Sequence, residues 1–223
     1  INNEIKKIKS TTDKLKIIFK IKNLAMAIKA LRICNVKEKL IYKSIKKIKD
    51  IDGRLQLVRN FSNGVKVFVD YAHTPDALLK TLTSLKNEYS NNISLVFGCG
   101  GERDQKKRPL MAKIANDNCK KIFITDDNPR NENPQKIRNE LVKFISKEKV
   151  YNIGKRALAI KEAIQNAKLN EIILIAGKGH EKQQIYKNKI LNISDKQIIK
   201  KLKINFKFLN KRKINFNQNK III

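Results

Sequence analysis

Four short stretches of this chain concentrate side chains that bind anions or exchange protons. In Asp126-Asp127-Asn128-Pro129-Arg130, the arginine carries a planar fork of donors matching a carboxylate or phosphate, and Asn128 both donates and accepts. Asp70-Tyr71-Ala72-His73-Thr74-Pro75 places a carboxylate, a phenol, an imidazole and a hydroxyl just ahead of a helix start, where anions are favoured. Gly98-Cys99-Gly100-Gly101-Glu102-Arg103-Asp104 lets backbone N–H groups approach a ligand without an intervening Cβ and then offers a guanidinium. Ala176-Gly177-Lys178-Gly179-His180-Glu181 again joins glycine to a cation, an imidazole and a carboxylate. Each stretch also has an ordinary explanation. Asp, Asn and Pro form solvated turns, a single histidine is commonly structural, and a glycine run lacking the P-loop ending and the dinucleotide spacing is a tight turn. Lys106, Lys107 and Arg108 read as a solvated face. Taken together, the charges suit a zwitterionic amino acid, with its carboxylate on Arg103 and Arg130 and its ammonium on Glu181.

All four stretches follow apolar runs that read as strands. Short strands at 65–69, 93–97, 121–125, 150–153 and 171–176 alternate with helical periods at 75–88, 107–118, 134–146 and 156–167. That alternation predicts an α/β fold: a Rossmann-like, mostly parallel sheet with flanking helices, whose carboxyl-end loops are the usual ligand edge. Thr74-Pro75 and Asn133-Pro134 are capped helix starts. A hairpin near 184–191 and a helix from Ser194 close the domain. Two helices are expected ahead of it, at 21–36 and 37–49, with a boundary near Asp50 to Gly53 and a turn at Asn63-Gly64.

The chain has 223 residues and a formal charge of +30, which would attract nucleic acid, anionic lipid or an acidic substrate. The lysines, however, are scattered among isoleucines and asparagines and form no basic stripe with interleaved aromatics, so no nucleic-acid partner is expected. Three widely separated cysteines, Cys34, Cys99 and Cys119, have neither metal nor redox spacing and read as thiols in a reducing compartment. No apolar run reaches the roughly eighteen residues of a membrane span, and no secretory signal opens the chain. A cytoplasmic monomer is expected. The start at Ile1 points to processing or truncation.

The motifs fall in a familiar order. Gly53-Arg54-Leu55, the stretch from Asp70 to Leu78, Phe97 to Gly101, Lys107 to Met111, Asp127-Asn128-Pro129-Arg130 and Gly177 to Glu181 resemble the Mur ligases across residues 22–203, above all the tripeptide-synthetase type. The resemblance implies ATP-dependent amide synthesis with Mg2+, in which the terminal carboxylate of UDP-MurNAc-L-Ala-D-Glu is phosphorylated and the amine of meso-diaminopimelate attacks the acyl phosphate. It also implies roles for residues. Arg103, Asp127, Asn128, Pro129, Arg130, Gly177 and Glu181 match amino-acid-binding positions. Asn23, Arg54, Asp70, Tyr71 and His73 match positions near ATP, with Arg54, Asp70 and His73 catalytic. The Asp-Asn-Pro-Arg form goes with diaminopimelate, although a lysine-adding or folylpolyglutamate-type ligase, a basic nucleic-acid-binding module and a binding module without chemistry are the alternatives. By the same resemblance, 1–51 ends the central ATP-binding domain, 52–203 is the amino-acid-binding domain and 204–223 is a tail. The P-loop and metal ligands are expected in a part not represented here, and these residues are expected not to ligate alone.

Overall fold

The computed structural model describes residues 4–6, 8, 18–48 and 50–204. Helices α1 (Ile18–Ile33) and α2 (Glu38–Ile45) share a small apolar cluster of their own, including Ile21, Ile28, Ile41 and Ile45. α1 ends earlier than its apolar period suggests. Asn35 takes φ 57° and the Val36 N–H bonds back to the Leu31 carbonyl, a left-handed helix stop.

A six-stranded sheet follows, built from β1 (Gln56–Asn60), β2 (Lys66–Asp70), β3 (Ile93–Phe97), β4 (Lys121–Ile124), β5 (Val150–Asn152) and β6 (Ile172–Ala176). Its spatial order is β1-β2-β6-β3-β4-β5, with β1 antiparallel and the other strands parallel. β3 (Ile-Ser-Leu-Val-Phe) and β6 (Ile-Ile-Leu-Ile-Ala) are buried along their whole length, as strands covered on both faces must be. Helices α3 (Pro75–Glu88), α4 (Lys107–Asn118) and α5 (Pro134–Val142) bury one face with Leu78, Leu82, Met111, Ile137 and Leu141. α6 (Arg156–Gln165) and α7 (Asp195–Lys201) bury the other with Ile160, Ile164 and Ile199. A separate hairpin, β7 (Gln183–Tyr186) and β8 (Lys189–Asn192), lies between β6 and α7 in sequence.

The helix starts are those expected. The Thr74 hydroxyl accepts from Ala77 N, and Asn133 Oδ1 accepts from Gln135 N and Lys136 N, each just before a first-turn proline. α5 is shorter than its apolar period. After Val142 the chain tightens, with Phe144 N–H on Leu141 O and Ile145 N–H on Val142 O, so Ile145 reaches the core from a turn.

Arg108 is not part of a solvated face. Only 1% exposed, it donates to Glu140 at 2.7 Å and to both Glu132 oxygens at 2.9 and 3.0 Å, tying α4 to α5 and its approach. On the opposite face the buried Arg156 donates twice to Asp195 at 2.8 Å, locking α6 to α7, and once to Ala176 O at the end of β6. Past residue 204, the expected tail lies outside the described residues.

Cys99 and Cys119 are buried and Cys34 is exposed. Burial pushes both inner thiols up to about 12. A raised folded value means that their contribution to stability is complete below the unfolded thiol range of roughly 8.5 and is lost as pH climbs towards 12. Native protein at neutral pH is expected to react with a thiol reagent at Cys34 alone, and at all three cysteines after unfolding in guanidinium; fast native labelling of Cys99 or Cys119 would contradict this packing.

Candidate functional site

Insertion of β6 between β2 and β3 makes β2, β6, β3 and β4 four consecutive parallel strands. Every polar stretch singled out above follows one of these strands. All four therefore emerge side by side at the carboxyl edge of the sheet, where α/β folds bind ligands.

The loop after β4 has no regular partner, and its neighbours satisfy its polar groups. Asp126 O accepts from the buried Gln184 side chain at 3.0 Å, and the Asp126 carboxylate receives the Tyr186 hydroxyl at 2.8 Å as well as Arg138. The Tyr186 phenol is raised, first by burial and then by the Asp126 carboxylate. Asn128 O accepts from Gly101 N at 2.9 Å, and Arg130 N donates to Ile185 O at 3.0 Å. The Asn128 side chain, 7% exposed, joins three elements: Oδ1 accepts from Lys178 Nζ at 3.1 Å and Ile185 N at 3.0 Å, while Nδ2 donates to Glu181 at 3.1 Å. Lys178 is wholly buried and also donates to the same Glu181 oxygen at 3.0 Å, making it the cation that pairs with Glu181.

Two glycines have a role here that their sequence pattern did not disclose. A Cβ on Gly101 would stand 1.9 Å from Pro129 O. Gly177 holds φ 109°, and its Cβ would lie 2.8 Å from Asp127 Oδ2. The glycine-rich loops thus form a bed for the 126–130 turn. Burial raises the Asp127 carboxyl, opposed by Arg156 and Lys178.

Arg130 takes φ 53°, a left-handed conformation that costs a side-chain-bearing residue about 1–2 kcal/mol. Its Nη1 donates to Gly101 O at 2.8 Å and Asn128 O at 3.3 Å. Nε and Nη2 have no protein partner among the described residues. Arg103 is exposed, touches only the carbonyl of Glu102, and has no hydrogen bond to the Asn128–Glu181 group.

A second cluster lies at the end of β2. The Arg54 guanidinium lies over the Tyr71 ring at 4.5 Å, with His73 edge-on to that ring at 4.6 Å and His180 at 5.5 Å. His73 Nδ1 donates to Tyr71 O at 2.9 Å, which leaves Nε2 as the acceptor of the neutral ring. Asp70 does not reach Arg54. Its buried carboxylate accepts from Leu55 N at 2.7 Å and the Thr81 hydroxyl at 2.8 Å, so it holds the backbone beside Arg54 and the first turns of α3. The backbone of Gly53 abuts that of Gly179 and His180, seating the incoming chain on the loop after β6. Asn23 stands exposed on α1, one turn beyond Lys20, whose ammonium reaches Leu55 O at 3.1 Å. Among the described residues no group of three His, Cys, Asp or Glu side chains has an arrangement that could hold a metal ion.

The family described as Mur ligase, glutamate ligase domain matches residues 53–179. This chain belongs to the Mur ligases. It is 45% identical over 185 residues to the UDP-N-acetylmuramoyl-L-alanyl-D-glutamate–2,6-diaminopimelate ligase of Buchnera aphidicola subsp. Schizaphis graminum, covering 82% of this chain and 37% of that protein. The ligase of the same name from Rickettsia montanensis is 42% identical over 185 residues, covering 82% and 38%. A solved structure of such a diaminopimelate ligase superposes with TM-score 0.65 at 36% identity, over 83% of this chain and 38% of the other. The folylpolyglutamate synthase of Thermotoga maritima, at 24% identity and TM-score 0.52 over 70% of this chain and 35% of its own, shares the fold. The chain thus spans somewhat over a third of the length of the curated relatives it matches.

Within this Mur ligase edge, the motif residues form two neighbouring groups. Asp127, Asn128, Pro129, Arg130, Gly177 and Glu181 pack as one unit, with Arg103 at its rim. Arg54, Tyr71 and His73 form the other, backed by Asp70, and Asn23 joins neither by a hydrogen bond. Four residues absent from the sequence-based site, Lys178, Gln184, Tyr186 and Arg156, build the floor beneath the first group. Only Lys178 carried a signal, as a cation set between two glycines. Asp70→Ala is expected to cost about 2–4 kcal/mol, from two lost charge-assisted hydrogen bonds, and to speed exchange of the Leu55 amide. Unchanged melting and unchanged Leu55 protection would count against the positioning assigned to Asp70.

Proposed function

We propose that this chain is the amino-acid-binding part of an ATP-dependent cytoplasmic ligase that joins meso-2,6-diaminopimelate to UDP-MurNAc-L-Ala-D-Glu in peptidoglycan precursor synthesis. In this reading 1–51 closes the ATP-binding domain, 52–203 binds the amino acid, and the ligase is a monomer. ATP transfers its terminal phosphoryl group to the acceptor carboxylate, giving ADP and an acyl phosphate. An amine of diaminopimelate then attacks the acyl carbon, the C–N bond forms, phosphate leaves and the amine loses a proton.

The observation that carries this reading is the state of Arg130. One arm of its guanidinium is tied to the carbonyls of Gly101 and Asn128, and its backbone is clamped by Ile185, while Nε and Nη2 remain available. A fork half anchored and half available fits the distal carboxylate of diaminopimelate, which L-lysine lacks. Glu181 takes Lys178 and Asn128 on one oxygen, leaving the other for an ammonium group. Arg54, stacked on Tyr71 at the other cluster, serves the phosphate charge that develops at the acceptor, with His73 and the exposed Asn23 on the nucleotide side.

The complete ligase, assayed by phosphate release with ATP and the UDP-linked acceptor, is expected to turn over with meso-diaminopimelate and far less with L-lysine. Arg130→Ala should lower kcat/KM for diaminopimelate by roughly 30- to 1000-fold, the scale of leaving a buried carboxylate unpaired. Equal use of L-lysine would assign a lysine-adding enzyme, and an unchanged kcat/KM in Arg130→Ala would remove Arg130 from the site.

A further inference from the structure

The side chain of Lys178 is 0% exposed. Its ammonium meets Asn128 Oδ1 at 3.1 Å, a Glu181 oxygen at 3.0 Å and the Gln183 carbonyl. Burial of a lysine is tolerated only with such a set of acceptors, and each acceptor is here fixed by other contacts.

The consequence lies in Asn128. A carboxamide can face either way, but an ammonium and the Ile185 backbone N–H can only donate, and the Glu181 carboxylate can only accept. The amide oxygen must therefore face Lys178 and Ile185, and the amide nitrogen must face Glu181. One Nδ2 hydrogen goes to Glu181. The second has no partner among the described residues. Glu181, in turn, has one oxygen occupied by Lys178 and Asn128, and it keeps a third of its side-chain surface exposed.

We propose that Lys178 helps set the polarity of the amino-acid site: from its buried position, together with the Ile185 N–H, it fixes Asn128 with an N–H towards the ligand carboxylate, and it occupies one Glu181 oxygen so that the other meets the ligand ammonium. Lys178 touches no ligand in this scheme and is a positioning residue. Without its donor the amide is held in that orientation by the Ile185 N–H and Glu181 alone, so the N–H that faces the ligand is less firmly fixed. Without its charge Glu181 faces Asp127 on the loop after β4, with the buried Arg156 of α6 as the remaining nearby cation. The scheme rests on the amino-acid site proposed above, and it concerns the ammonium–carboxylate end that all α-amino acids share.

The test is steady-state kinetics of the complete ligase with meso-diaminopimelate and with L-lysine as probes. In Lys178→Met, KM for the amino acid used should rise at least tenfold, with kcat and KM for ATP within about threefold of the parent. Lys178→Gln keeps a donor but not the charge. It should recover part of the KM loss, and it carries the test if Lys178→Met does not melt as a folded protein. An unchanged amino-acid KM, or a loss spread equally over kcat and both KM values, would overturn the proposal. Failure of the parent enzyme to use diaminopimelate would instead overturn the substrate assignment, and the Lys178 comparison would then be read with L-lysine.

Discussion

The carboxyl edge of this sheet depends on the side chain of Asn128. A turn that leaves a parallel strand without entering another element exposes a run of backbone donors and acceptors that must find partners. Here one carboxamide links the loop after β4 to the hairpin through Ile185 and to the loop after β6 through Lys178 and Glu181. The Asn128 carbonyl takes the Gly101 amide, which adds the loop after β3. Three loops that could each move alone are thereby held as one surface. The left-handed Arg130 is retained because its neighbours on both sides are already fixed.

The same economy appears beneath the surface. Arg156 anchors the end of β6 through Ala176 O while its ion pair with Asp195 joins two helices. Arg108 does the corresponding work on the other face through Glu132 and Glu140. Buried pairs of this kind add little net stability over well-packed apolar groups, but an unpaired member is costly, so they enforce one arrangement of helices against strands. The hairpin β7–β8 then acts as a brace, with Gln184 and Tyr186 on Asp126 and Ile185 on Asn128 and Arg130.

The two groups meet in the loop after β6. Lys178 and Glu181 belong to the group around Asn128, while Gly179 and His180 pack on Gly53 and Tyr71 of the other. A single six-residue stretch therefore carries both the ion pair of the buried Lys178 with Glu181 and the seat for the chain entering from the helical segment. Under the function proposed above, such a shared loop would keep the acyl phosphate and the amine in register.

Much of this was legible in the residues themselves. Strand and helix periods, the proline-started helices and the polar stretches after each strand follow from local chemistry that needs no distant partner, and so does the fork of Arg130. Arg108 was misread as solvated because its charge says nothing of Glu132 and Glu140, which lie far along the chain. Asp70 reads as a residue near the nucleotide, and only the tertiary structure shows that Leu55 N and the Thr81 hydroxyl bond to its oxygens. Gly98, Gly101 and Gly177 read as places for a close ligand approach, and the structure adds a packing demand, since a Cβ there would meet Thr125, Pro129 and Asp127 respectively. By itself, then, the sequence determined the elements, the family and the kinds of group at the site. The tertiary structure alone decided that β6 slips between β2 and β3, which makes neighbours of four separate loops and buries Lys178 against Asn128 and Glu181, because strand order depends on long-range pairing that no local pattern records.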